Sequence, residues 1–255
     1  MNIPELNNMQ LTERIHIVAS GEPGFSLTNR FDCTVYLVDG GSSCALIDAG
    51  VGVEPERILA QIEKSGISPG SVKKILLTHG HGDHAGGAYA LSRMLDAQVY
   101  AMEPAAQFIR EGDTDSLSLT PAIRAGVYTE DYSFRSCDVT ALADGQEVPV
   151  GDLSLRVVAS EGHSAGHCCY YTEDGGQRIL FAGDSVQCGG KIALQAIWDC
   201  DLQKYIASIR RLNALRPDLL LPAHGAFALE RGYVHLQKAC DILDTLALPK
   251  NTIGE

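Results

Sequence analysis

Residues 78–84 read Thr78-His79-Gly80-His81-Gly82-Asp83-His84, directly after the apolar, β-prone run at 73–77. Three imidazoles and a carboxylate fall within six residues. Glycines between the first of them let the backbone turn tightly and aim several side chains at one place. Imidazole nitrogen and carboxylate oxygen are the donors that Zn²⁺ and similar borderline cations accept. Without such a partner, so many polar groups beside a buried strand would cost the fold free energy.

Working outward, short β-branched runs alternate with helical periodicity. Residues 14–19, 34–38 and 44–48 read as strands, and Asp39-Gly40-Gly41-Ser42 signals a hairpin between the last two. A one-faced helix is expected over 54–65, a helix over 85–95 and a short strand over 98–101. Strands are expected again at 153–159, 168–172, 178–182 and 218–221, with amphipathic helices at 201–215 and about 230–247. Three of these strands or their flanking loops carry further donors. His163 stands in Glu161-Gly162-His163-Ser164-Ala165-Gly166-His167, Asp184 in Ala182-Gly183-Asp184-Ser185, and His224 in Pro222-Ala223-His224-Gly225. Positions just past strands are the usual address of site residues on α/β scaffolds. With the 78–84 motif this gives five histidines and two aspartates, enough for two metal ions.

The region 103–143 is less regular. A helix at 105–111 is expected, and the remainder mixes Asp, Ser, Thr and aromatic residues without a period. A stretch of this kind within a layered fold suggests a lid or insertion. No repeat or linker interrupts the chain, so residues 1–255 read as a single domain of two sheets flanked by helices.

Composition narrows the partners. The 255 residues carry 20 Lys and Arg against 32 Asp and Glu, a formal net charge of −12. That balance argues against nucleic acid and anionic membranes, which need cationic patches. No apolar run approaches a membrane span. Residues 1–10 are polar and lack a basic start and apolar stretch, so a cytoplasmic protein is expected. The eight cysteines are scattered with no CxxC pair, and read as small buried hydrophobes. His16 and His235 lie outside every motif and read as ordinary core or surface residues. Trp198, the only tryptophan, reads as a core residue.

The combination of His79, His81, Asp83 and His84 with the later His163, Asp184 and His224, in that order, resembles the metallo-β-lactamase superfamily of metal-dependent hydrolases. The upstream Leu46-Ile47-Asp48-Ala49-Gly50 also resembles a strand-end segment of that family. The resemblance covers residues 30 to 225. It implies an α/β fold, an αββα sandwich with two mixed sheets flanked by helices and a two-metal site at one sheet edge. By that pattern His79, His81 and His163 would hold the first cation, Asp83, His84 and His224 the second, and Asp184 would bridge them. The cofactors implied are two divalent ions, zinc first, with iron, manganese or cobalt admitted by an all-nitrogen and oxygen set. A hydroxide between the ions would be the nucleophile and Asp83 would carry the proton to the leaving group. Asp48 and His167 would orient ligands rather than bind metal.

Within that family the absence of a leader argues against an exported β-lactamase, and the acidic balance against the nucleic-acid-processing branches. Glyoxalase-II-like thioesterases share the ligand set but add a basic C-terminal region. Here only Arg231, Lys238 and Lys250 follow His224. Superfamily lactonases are similar in size and carry an insertion like 103–143. Hydrolysis of a lactone or related carboxylic ester is therefore the first expectation. A thioesterase is the second, and a non-catalytic metal-binding protein of the same fold the third. The partner is a small-molecule ester, lactone or thioester, and an apolar face on the insertion would suit a homodimer.

Overall fold

Several central strands are buried on both faces, and their alternate residues enter different cores. In the strand Val35–Asp39, Val35 and Leu37 face one core while Tyr36 and Val38 face another. In Gln177–Gly183, Ile179 and Phe181 share the core of Tyr36, and Leu180 and Ala182 face a third. Strands covered on both sides must lie in an inner layer, which is why their sequences read as nearly continuous apolar runs.

The computed structural model describes residues 9–253. A seven-stranded mixed sheet contains β1 (Met9–Gln10), β2 (Ile15–Ala19), β3 (Val35–Asp39), β4 (Cys44–Ile47), β5 (Val72–Leu76), β6 (Gln98–Met102) and β7 (Val139–Leu142), in spatial order of chain. Neighbours are antiparallel as far as β4 and parallel from β4 to β7. A five-stranded sheet contains β8 (Glu147–Val150), β9 (Leu153–Ala159), β10 (Cys168–Asp174), β11 (Gln177–Gly183) and β12 (Leu219–Pro222), antiparallel except for the parallel β11–β12 pair. The outer face of the first sheet is covered by α1 (Pro55–Lys64), α3 (Ala88–Leu95) and α4 (Ala105–Glu111), through Ile58, Ile62, Leu91, Leu95 and Ile109. The outer face of the second is covered by α6 (Leu202–Ala214) and α7 (Tyr233–Asp244), through Tyr205, Ile209, Leu212, Leu236 and Leu243. The order is helix, sheet, sheet, helix, as the sequence leads one to expect. Two further short helices, α2 (Gly82–Ala85) and α5 (Leu119–Arg124), lie near the strand ends.

The sheets are stitched together at one edge. Tyr170 Oη donates to the Leu77 carbonyl at 2.7 Å and Tyr36 Oη to the Pro222 carbonyl at 2.6 Å. Backbone bonds from Cys168 to Thr78 and from Thr34 to Ala223, both 2.8 Å, join the segments just past β5 and β12 to the opposite sheet. The chain ends of β4, β5, β11 and β12 therefore converge.

Several elements differ from expectation, among them β1 and α5, which the sequence reading does not include. The helix expected over 85–95 is broken into α2 and α3 at Gly86-Gly87. A Cβ on Gly87 would lie 2.0 Å from the Ala49 carbonyl oxygen, so the backbone presses onto the segment after β4. The end of the supposed insertion is β7, an edge strand parallel to β6 whose buried Val139 and Leu142 flank two exposed residues and so hide the period of two. β8 is also unforeseen, because Pro149 demotes the run Glu147–Val150 as a strand signal and is tolerated only at a sheet edge. Trp198 is exposed rather than core, touching Phe108 edge-on. The cysteines are all free, and five of the eight are buried. Most of the 1–10 stretch lies outside the described residues, and no described helix is long and apolar enough to cross a membrane.

Phe181 is fully buried between the sheets, 5.5 Å from the Tyr36 ring. Phe181→Ala should lower the free energy of unfolding by about 3–5 kcal/mol, measured by urea denaturation.

Candidate metal centre

Asp48 follows β4 with φ of +66° and is buried. One of its oxygens accepts from Thr78 N at 2.7 Å. Thr78 Oγ1 donates to the same carboxylate at 2.9–3.0 Å. His84 Nδ1 lies 2.9 Å from the other oxygen. With its own proton given to Asp48, Thr78 Oγ1 can accept from His79 Nδ1, 3.0 Å away. One carboxylate thus fixes the tautomers of two histidines and turns both Nε2 atoms the other way.

The remaining donors arrive from the second sheet. His163, in the β9–β10 loop, gives its Nδ1 proton to the Ala193 carbonyl at 2.7 Å, so its Nε2 carries a lone pair. That Nε2 faces His81 Nδ1 at 3.1 Å, while His81 Nε2 lies 3.7 Å from Asp199. Asp184, just past β11, lies between two groups of histidines. Its oxygens are 3.4 Å from His163 Nε2, 3.5 Å from His224 Nε2 and 3.7 Å from His84 Nε2. Asp83 Oδ2 is 3.1 Å from His224 Nε2 and 3.4 Å from His84 Nε2. All seven sequence-derived ligand candidates therefore meet in one cluster. His167 stands beside it with both nitrogens engaged: Nδ1 faces Ser160 Oγ at 2.9 Å and Nε2 accepts from Asp184 N at 3.1 Å. His16 and His235 lie outside this set of contacts.

The donors suit cations. His79 Nε2, His84 Nε2 and Asp184 Oδ1 are buried without a hydrogen-bond partner. Two groups, His79/His81/His163 and Asp83/His84/His224, each bring three ligand atoms within 4.8 Å of one another, and His79/His84/Asp184 form a third that spans both. Tetrahedral metal–nitrogen bonds of about 2.0–2.1 Å would place two nitrogens about 3.3 Å apart. Facing lone pairs at such distances repel unless positive charge lies between them.

Protonation follows the same division. Burial, reinforced by the neighbouring imidazoles, holds His79 well below the usual histidine range, and burial pushes His163 down to about 4. Burial also disfavours charge on His224, but Asp184 and Asp83 outweigh it and raise that ring. His84 is raised against burial by the Cys33 sulphur and the Asp83, Asp48 and Asp184 carboxylates. Asp83 and Asp184 are held low, despite burial, by the same histidines. A cation in the second group would replace those protons.

Several contacts have no counterpart in the sequence reading. Tyr128 Oη donates to Asp83 Oδ1 at 3.1 Å and accepts from Asp83 N at 3.0 Å, leaving Oδ2 towards His84 and His224. Burial, aided by the Asp83 charge, keeps that phenol protonated. Its ring stacks on Tyr132 at 4.8 Å, and Tyr132 Oη in turn bonds the Val51 carbonyl at 3.1 Å. Asp199, beside His81, accepts from Ser118 Oγ at 2.8 Å. Tyr128, Tyr132 and Ser118 come from the aperiodic 103–143 stretch, where spacing carried no signal. Asp199 could have been suspected only as one of two acids in Trp198-Asp199-Cys200-Asp201. The motif glycines act differently from expectation. Neither Gly80 nor Gly82 has a positive φ. A Cβ on Gly82 would instead meet Leu119 Cδ2 at 2.6 Å, so this glycine admits the α5 segment rather than a turn.

Comparison with known proteins agrees with this geometry. The family model described as the metallo-beta-lactamase superfamily matches residues 28–224. The chain belongs to the metallo-β-lactamase superfamily. Among solved members, BJP-1, a subclass B3 metallo-beta-lactamase of Bradyrhizobium japonicum, superposes with a TM-score of 0.70 at 22% identity, covering 94% of this chain and 93% of that one. A metallo-beta-lactamase family protein from Thermus thermophilus, TTHA1429, gives 0.70 at 23%, over 92% and 81%. At such identities the likeness speaks for the fold. Among curated superfamily relatives, the lactamase-like protein adaB of Aspergillus niger is 29% identical over 88% of this chain and 59% of its own length. The atrochrysone carboxyl ACP thioesterase nsrC of Aspergillus novofumigatus is 29% identical over 86% and 56%. The chain thus spans somewhat over half the length of these relatives.

Asp48→Asn should lower metal affinity about 10–100-fold, read by competition with a chromogenic chelator. Tyr128→Phe should loosen one metal ion by up to about tenfold and leave the other unchanged.

Proposed function

We propose that this protein is a metal-dependent hydrolase of carboxylic thioesters or esters, with two divalent ions as cofactors. The observation carrying this reading is the convergence of unpartnered buried nitrogens and two carboxylates beside a cavity of about 730 Å³, which Asp83, Asp184, His81 and His224 help to line. His79, His81 and His163 would hold one ion, Asp83, His84 and His224 the other, and Asp184 would stand between them. Bound divalent ions would bring the pKa of water towards neutrality and polarise the scissile carbonyl.

The chain's own residues supply orientation and proton handling. Asp48, Thr78 and the Ala193 carbonyl hold His84, His79 and His163 with Nε2 inward. His167 braces the backbone of Asp184. Asp83 lines the cavity and its side chain is more exposed than that of Asp184, 20% against 8%, which suits its Oδ2 to pass a proton to the departing thiolate or alkoxide. Its second oxygen stays on Tyr128, so the carboxylate keeps one orientation.

The thioester takes first place over the lactone that the sequence favours, because a relative matched along most of this chain is named as an acyl-carrier thioesterase. The lactone remains the second reading, supported by the helical segment that roofs the cavity.

Zinc-loaded protein should release thiol from S-decanoyl-N-acetylcysteamine, and prolonged chelation should abolish the reaction until zinc or manganese is restored. Asp184→Asn should lose more than the about 10–100-fold expected of an outer partner. Faster opening of γ-decalactone than of the thioester would return the lactone to first place, and chelator-resistant turnover would sink the metal-dependent reading.

A further inference from the structure

The cavity beside the metal centre is divided by chemistry. One end holds His81, Asp83, Asp184 and His224. Much of the remaining wall is apolar, with Leu117, Leu119, Val127, Tyr128, Ile197 and Ile253 prominent in it. No lysine or arginine lines it among the described residues. Its volume, about 730 Å³, is in the range of a pocket for a sizeable small molecule.

Three segments far apart in the sequence build this wall, and each is held in place. The α5 segment is pinned at one end by Ser118 on Asp199 and at the other by Tyr128 on Asp83. The loop containing Ala193 and Ile197 is fixed through Ala193 N, which donates to Tyr205 Oη at 3.1 Å. The 251–253 segment is strapped to that loop by Asn251, whose amide bonds Leu194 N and O at 2.9 and 3.0 Å. The wall is therefore preformed.

A carboxylate or phosphate placed against the apolar wall, away from the metal end, would lose its hydration and find no lysine or arginine to replace it. The chain's net charge of −12 adds to that penalty at longer range. We propose that this wall selects an uncharged, apolar acyl group of ring or medium-chain size, and that charged leaving groups such as a phosphorylated carrier arm stay outside the cavity. The inference rests on the hydrolase reading for the word acyl; the preference for an uncharged body rests on the wall alone. Leu119, Val127, Ile197 and Ile253 are then the residues that set specificity.

The test separates the two claims. N-phenyl-1-naphthylamine and 8-anilinonaphthalene-1-sulfonate share one fluorescent skeleton and differ by a sulfonate. Zinc-loaded protein should bind the uncharged probe with one equivalent per chain, at least about tenfold tighter than the sulfonate. Val127 is exposed enough to accept a charge without disturbing the core. Val127→Lys should cut that preference about tenfold or reverse it, with the thermal midpoint unchanged. In turnover, S-decanoyl-N-acetylcysteamine should exceed its 9-carboxynonanoyl counterpart in kcat/KM by a similar factor. Equal binding of both probes, or a preference that Val127→Lys leaves intact, would overturn the inference. Selective binding of the uncharged probe without turnover of either thioester would support the wall's selectivity and count against the hydrolase reading.

Discussion

A single buried carboxylate, Asp48, organises the metal centre. It accepts from a backbone amide, a hydroxyl and an imidazole, and through the hydroxyl it reaches a second imidazole. A buried charge is tolerable only when its lone pairs are engaged, and these donors engage them. The result is directional. His84 cannot rotate or change tautomer without breaking a charge-assisted bond to Asp48, nor His79 without breaking its bond to Thr78 Oγ1, so both present Nε2 to one point. The same bonds tie the end of β4 to the end of β5, so the fold and the centre share their anchor.

The second sheet contributes through a comparable but neutral device. His163 is fixed by a carbonyl and Asp184 by a backbone bond to His167. These supports lie on loops that meet only because the sheets pack face to face across a core containing Tyr36, Tyr170 and Phe181. Tyr36 and Tyr170 also donate across the sheet edge, so the packing layer and the position of the candidate ligands are coupled. Loss of either sheet's register would separate the donors by a full side-chain reversal.

The segment between β6 and β7 joins this arrangement as a third support. Its tyrosine and serine contact Asp83 and Asp199, and its leucine packs against Gly82. It thereby does two things at once: it orients an acid of the centre and supplies an apolar wall to the cavity. Polar and apolar contacts are kept apart because the segment brings hydroxyls to Asp83 and Asp199 while its aliphatic side chains line the cavity.

The sequence by itself determined the elements with strong local signals. His79, His81, Asp83 and His84 are dense enough to be read without a structure, and His163, Asp184 and His224 stand at strand ends that periodicity locates. The central strands were legible because burial on both faces makes them continuously apolar. The edge strands β7 and β8 were not, since one-sided pairing relaxes the pattern and even admits Pro149. Tyr128, Ser118 and Asp199 were also hidden. Each acts through a partner 45 to 81 residues away, and contacts over that distance leave no periodic trace in the chain. The apolar wall belongs to the same class: Leu119, Ile197 and Ile253 become one surface only when three separate segments are brought together by tertiary packing.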